Sequence, residues 1–304
     1  MLRKILMFLL VTFIFFISSS QLAKENNSMD KVKLNYGKYS IPKTLDHMIN
    51  LQKQLNDEGL LEFGDIGGLY FSYDEIDTRY LNTPIDVISF ARPGSDGVHF
   101  GFLTDFGQVS DLESAFIVRV SPMDFDNPVQ IVARNIHDFL RLLCYAPSSV
   151  ELVDITTDKE YFKKYPDVAA SHIIKGNDVK VREILKNQFA LEPIDSLYAY
   201  LQTVKQVREN EIVLPTEDGI GVISKNITNK EDIQTQDLFD LDGDTFSPED
   251  VKNFFETSSY EARLVFLRDA QSKGLLYDYE EMKNVLQEQL RLMHLDDDAK
   301  RVMY

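Results

Sequence analysis

The chain contains no tryptophan and only one cysteine, Cys144, among its 304 residues. A lone cysteine excludes an intramolecular disulfide and any zinc site built on several thiolates. Basic residues are scarce as well: 32 Lys and Arg stand against 49 Asp and Glu, a formal net charge of −17. Sequence-independent nucleic-acid binding needs a basic surface to displace phosphate counterions, so this balance argues against it. It fits an acidic surface that stays soluble or meets a basic partner. None of the five histidines (His47, His99, His137, His172, His294) stands three or four residues from another in a metal-ligand pattern. Phosphate-cradling glycine loops are missing, and Gly94-Ser95-Asp96-Gly97 is no nucleophile elbow, because a strand rather than a helix should follow it. No catalytic motif is left, and no cofactor is expected.

What is present is a core-forming composition, 44% hydrophobic and 11% aromatic, long enough for one large domain or two ordinary ones. The first residues admit two readings. Arg3 and Lys4 precede an apolar run from Ile5 to Ile17, broken only by Thr12, and Ser18-Ser19-Ser20 follows. Such a segment resembles a secretory leader and is short for a membrane span, so an anchor is expected only if residues 5–17 are a genuine one. Alternatively the start is over-extended: Lys24-Glu25 can be encoded as a ribosome-binding site at a normal distance before Met29. Translation from Met29 implies a cytoplasmic protein; the first reading implies a secreted or envelope-attached one.

The rest divides into an α+β part, residues 29–147, and a mostly helical part, residues 148–304. Leu45, Met48, Ile49, Gln52 and Leu55 recur at helical spacing behind Pro42, and Gly59 ends that helix. Gly67-Gly68 opens a short aromatic strand over 69–73. Strands over 85–91 and 98–104 flank the dense turn Pro93-Gly94-Ser95-Asp96-Gly97 and predict a hairpin. Strands at 116–121 and 129–133 follow, then a helix capped by Asn135. The expectation is a mainly antiparallel sheet packed by helices 43–57 and 135–145. Beyond it, helices are predicted over 158–164, 179–190, 193–210, 248–257, 259–273 and 278–293, with a small hairpin around Glu217-Asp218-Gly219.

Two groups of residues could bind something. Asp240, Asp242 and Asp244 match the first three oxygen positions of an EF-hand loop. However, Thr245 replaces its glycine, and Asp250 reaches the final acidic position only if one residue is deleted. The string therefore reads as an acidic turn capping the helix from Pro248, binding calcium weakly or not at all. The second group is acidic and lies in loops beside the sheet: Asp96, Asp105, Asp124 and Asp126, with His99 at the start of a strand. These are the candidate partner-binding residues, since charge complementarity speeds and orients association. A hydrolase would instead need a deep pocket where Asp, Glu and His99 converge.

Residues 40–140 resemble the SUKH superfamily, bacterial relatives of the yeast cell-wall-synthesis regulators. The resemblance lies in the Ile41-Pro42 helix and the Gly67-Gly68-Leu69-Tyr70-Phe71 strand. It continues through the block from Asp86 to Asp105, where an Asp-Gly turn meets an aromatic-Gly-aromatic strand, and the stretch Ile117 to Asp126 with its closing helix. It covers about a third of the chain, and the tryptophan of many members is missing. The resemblance implies an α+β fold, no cofactor, no catalytic residues, and an immunity role in which the protein binds a toxin's nuclease or deaminase domain.

Overall fold

A computed structural model describes residues 29–124, 126–145, 176–224, 238–242, 246–275 and 280–303. The leader at 1–28, the helix expected over 158–164, and Asp244 lie outside these. Residues 29–36 form a helix, α1, that the sequence reading did not anticipate. Then come α2 (Lys43–Asp57), the strands β1 (Tyr70–Phe71), β2 (Val87–Arg92), β3 (His99–Leu103), β4 (Ile117–Val120) and β5 (Val129–Ala133), and α3 (Ile136–Tyr145). The five strands form one antiparallel sheet in chain order, as expected, with the tight turn at 93–98 joining β2 to β3. The chain continues with α4 (Asn177–Phe189), α5 (Leu197–Glu211), a two-stranded hairpin β6 (Ile212–Leu214) and β7 (Val222–Ile223), and four more helices. These are α6 (Pro248–Thr257), α7 (Tyr260–Ser272), α8 (Glu280–Leu292) and α9 (Asp296–Arg301). The fold is α+β, with a mostly helical C-terminal part. No described helix is long and apolar enough to cross a membrane.

Alternation in the strands sends residues to both faces, and both faces are covered. On one, Phe90, Phe100 and Phe102 meet Leu45, Met48 and Leu55 of α2 and Phe139 and Leu143 of α3. Phe139 sits 5.6 Å from Phe90 and 5.0 Å from Phe100, ring centre to ring centre. The other face gathers Val87, Leu103, Val118, Val120 and Val129, with Ile220 from the small hairpin packed among them. Gly101 belongs to that second face, and its missing side chain matters: a Cβ there would lie 2.4 Å from Val87 Cγ1 and 2.9 Å from the Ile88 carbonyl. The aromatic-Gly-aromatic pattern is thus a packing requirement between β3 and β2.

The helix starts follow local chemistry. Asn135 accepts the Asp138 N–H at 2.8 Å, and Ser196 accepts the Ala199 N–H. Ser247 and Asp250 make a reciprocal capping box ahead of α6, with Pro248 inside its first turn. Cores from the two parts of the chain interleave: Val181, Leu185 and Leu201 join the cluster around α2 and α3, while Ile85 and Phe106 join that of α6, α7 and α8.

Replacing Gly101 with alanine is expected to lower unfolding free energy by about 1–3 kcal/mol, the usual penalty for overpacking a dense core. Urea unfolding of the full chain measures it; an unchanged midpoint would show that β2 and β3 give way freely.

Candidate functional site

The two ends of the sheet differ in kind. At one end, the chain leaves β3 through Thr104, and Asp105 and Phe106 adopt left-handed backbone with φ of 48° and 52°. Such angles cost roughly 1–2 kcal/mol per non-glycine residue, so something must hold them. Asp105 is held by Arg208 of α5, whose guanidinium donates to both its carboxylate oxygens at 2.9 and 2.7 Å. Asp86, just ahead of β2, accepts the Phe106 N–H at 3.1 Å and Arg268 Nη2 of α7 at 2.7 Å. Arg268 lies 5.1 Å from the Phe106 ring centre and reaches Asp218 of the small hairpin at 3.4 Å. All five charged groups are buried.

Three carboxylates thus face two guanidinium groups in a site shielded from water. Asp86 Oδ1 and Arg268 Nε have no hydrogen-bond partner. Burial pushes the Asp86 carboxyl up to about 6 against the pull of Arg268, and Asp105, Asp298 and Asp218 push the same way. Burial likewise raises Asp269, whose carboxylate accepts the Glu217 N–H, to about 6. A neighbouring lock uses Arg301 of α9, which donates to the Ile85 and Asn35 carbonyls and to Asp298. The arrangement fastens the C-terminal helices to the sheet.

The opposite end carries loops. Because His99 pairs with Val120 and Val120 with Val129, the 93–98 turn and the 121–128 loop emerge side by side. Asp96, Asp124 and Asp126 therefore share one end of the sheet, all at least partly exposed. Tyr70 pairs with Arg92 in the register of β1 and β2, and its hydroxyl donates to the Phe63 carbonyl, which brings Phe63 to this end too. Phe63, Met123 and Tyr80 are 71%, 64% and 48% exposed. Tyr80 stacks beside His99, 6.1 Å between ring centres. A cleft of about 250 Å³ lies between Asp77, Tyr80, Arg92 and the Gly94–Val98 turn.

Two of the five residues proposed from sequence for partner binding are turned inward. Asp105 is held by Arg208, as above. His99 is buried; its Nδ1 lies 2.8 Å from the Gly97 carbonyl and its Nε2 3.1 Å from Thr83 Oγ1. A carbonyl only accepts, so Nδ1 carries the proton and Nε2 accepts from the threonine hydroxyl. Burial lowers its pKa to about 4, which keeps the ring neutral. His99 holds the turn that presents Asp96 and touches no carboxylate in these contacts. Asp124 accepts from Arg119 at 3.3 Å and from the Asn127 N–H. In the acidic string, Asp240 caps the Asp242 N–H, Asp242 pairs with Lys273, and Asp250 serves Ser247. Asp240 thus serves the turn and Asp250 the helix cap, while Asp242 makes an exposed ion pair. Arg208 and Arg268 went unnoticed in the sequence, because an arginine on an amphipathic helix looks like a solvated one.

The native carboxyl of Asp86 sits above its unfolded value of 3.8, so the folded state binds that proton more tightly. Its contribution is fully present below about pH 4 and is lost as pH rises through 6, about 3 kcal/mol in all. Asp86→Asn is expected to flatten this pH dependence, measured by urea unfolding between pH 4 and 8, because two carboxylates then balance two guanidinium groups. Arg268→Met should destabilise by about 3–5 kcal/mol at pH 7, since it strands buried carboxylates. A steeper pH dependence in Asp86→Asn would contradict the assignment. No protein-family model matches this chain, and no curated protein matches it.

Proposed function

We propose that this chain is a non-enzymatic binding module of the SUKH type. It acts in the cytoplasm as an immunity or regulatory protein, and its loop end takes a basic partner such as a nuclease toxin domain. The observation that carries the reading is the meeting of two acidic loops with exposed apolar side chains at one end of the sheet. Protein interfaces combine apolar anchors with a polar, solvent-accessible rim. Phe63, Tyr80 and Met123 supply the anchors, and Asp96, Asp124 and Asp126 the rim. A nuclease is basic where it meets phosphate, and the net charge of −17 favours its approach over long range. The turn held by His99, and the contacts that Asp124 makes with Arg119 and Asn127, would keep ordering costs on binding small.

The test is association kinetics against the toxin domain encoded in a neighbouring gene. Asp96→Asn combined with Asp126→Asn, both exposed, should slow the on-rate about three- to tenfold at low salt and leave thermal unfolding little changed. Raising salt to physiological strength should narrow that gap through screening. An on-rate insensitive to both the substitutions and salt would reject the acidic rim.

A further inference from the structure

The cleft between Asp77, Tyr80, Arg92 and the Gly94–Val98 turn contains an exposed aromatic ring on a fixed base. The Tyr80 N–H donates to Thr83 Oγ1 at 2.7 Å, and that hydroxyl donates to His99 Nε2 at 3.1 Å. His99 stacks beside the Tyr80 ring and ties down the turn through the Gly97 carbonyl. Gly97 lets the turn close on the ring: its φ is 69°, and a Cβ there would lie 2.5 Å from Tyr80 Cζ. Tyr80 is nevertheless 48% exposed, so it offers open aromatic surface to the cleft. At about 250 Å³ the space is smaller than the roughly 300–1,000 Å³ of small-molecule sites and suits a single side chain.

The charges in the cleft select which side chain. Three ionised groups line it: Asp77, Arg92 and Asp96. Arg92 is offset by Glu75, whose side chain is only 5% exposed and whose carboxylate lies 3.1 Å from the Arg92 Nε. Asp77 is offset by Lys31, in an exposed pair whose lysine does not line the cleft. Asp96 is exposed at the tip of the turn with a φ of 52°, and it makes no hydrogen bond or ion pair among the described residues. One negative charge is thus left without a partner, beside an open ring. That combination favours a cation, because the ring quadrupole attracts positive charge and the carboxylate pairs with it. A planar guanidinium can do both together, stacking on the ring while its fork of donors meets the carboxylate; an ammonium is a compact, strongly hydrated point charge.

We propose that this cleft accepts an arginine side chain of the partner, its guanidinium stacked on Tyr80 and paired with Asp96. The proposal rests on the basic-partner reading and deepens it: Tyr80 is a platform for a cation as well as an apolar anchor.

The full chain, labelled for amide detection by NMR, would be titrated with capped Gly-Arg-Gly and with counterparts carrying lysine or citrulline at the centre. Citrulline keeps the shape of arginine without its charge. The arginine peptide is expected to bind in the millimolar range, with saturable shifts centred on the Gly94–Val98 amides. The lysine peptide should bind about threefold less tightly and the citrulline peptide about tenfold less tightly. Tyr80→Leu and Asp96→Asn should each weaken arginine binding about fivefold, whereas Tyr80→Phe keeps the ring and should change it little. Asparagine tolerates the left-handed backbone at position 96, so Asp96→Asn keeps the turn. If Tyr80→Leu disturbs the turn, the citrulline peptide on the unaltered chain decides. No saturable shifts at the turn, equal affinity for the citrulline peptide, or undiminished binding by Asp96→Asn would overturn the proposal. Each of these would leave steering of a basic partner to its own kinetic test, which uses no arginine peptide. A flat on-rate beside intact arginine binding would instead reject the partner reading and leave the cleft an arginine site.

Discussion

The pairing of Asp105 with Arg208 and of Asp86 with Arg268 is the constraint on which the arrangement of this molecule depends. Residues 103 and 182 positions apart in sequence are brought within hydrogen-bond distance in the interior. Without those partners, two charged carboxylates would sit buried beside strands that are otherwise apolar, and each unpaired charge would cost several kcal/mol. The same contacts hold the left-handed turn at Asp105 and Phe106 and set the Phe106 ring under Arg268. A buried ion pair adds little net stability compared with a well-packed apolar substitute. Its effect here is positional: the pairs tie α5 to Asp105, and α7 to Asp86 and to Asp218 of the small hairpin.

That closure has consequences at the far end of the sheet. With one end fastened under the C-terminal helices and both faces packed, the 93–98 turn and the 121–128 loop project from a rigid support. Binding groups commonly sit on loops positioned by such a scaffold. His99 extends the rigidity into the turn through two buried hydrogen bonds, so a residue at first glance suited to catalysis contributes position instead. The sheet edges show the same economy of means. Gln52 finishes the β1 edge, and the Tyr200 hydroxyl of α5 takes the Arg134 N–H just past β5.

Much of the fold was legible because its signals are local. The turn Pro93 to Gly97 places two strands back to back, Asn135 and Ser247-Pro248 announce helix starts, and the spacing from Leu45 to Leu55 marks a buried helical face. Gln52 fell on that face by periodicity, but its role at a strand edge depends on β1, which the sequence does not bring near it. The strand expected over 69–73 shrinks to Tyr70–Phe71, since Ser72 is the last residue bonded to β2. The candidate site was legible only in part. Asp96, Asp124 and Asp126 reach the surface as turn chemistry suggested, while Asp105 does not. A carboxylate in a polar turn and an arginine on a helix each look solvated alone, and only their meeting reveals that both are buried. The short helices at 29–36 and Asp296–Arg301 escaped notice for a related reason: neither is long enough to show a period, and α9 is held by Arg301 bonding to carbonyls far away in sequence.

Native-state hydrogen exchange on the full chain tests the central claim most directly, by comparing the opening free energies of amides in β3 with those in α7. If the buried arginines bind the C-terminal helices to the sheet as one cooperative unit, the slowest amides of Phe100 and Phe102 and those of Leu264 and Leu267 should open together, with one free energy and one dependence on denaturant. Exchange of α7 at a distinctly lower free energy, with β3 still fully protected, would contradict it.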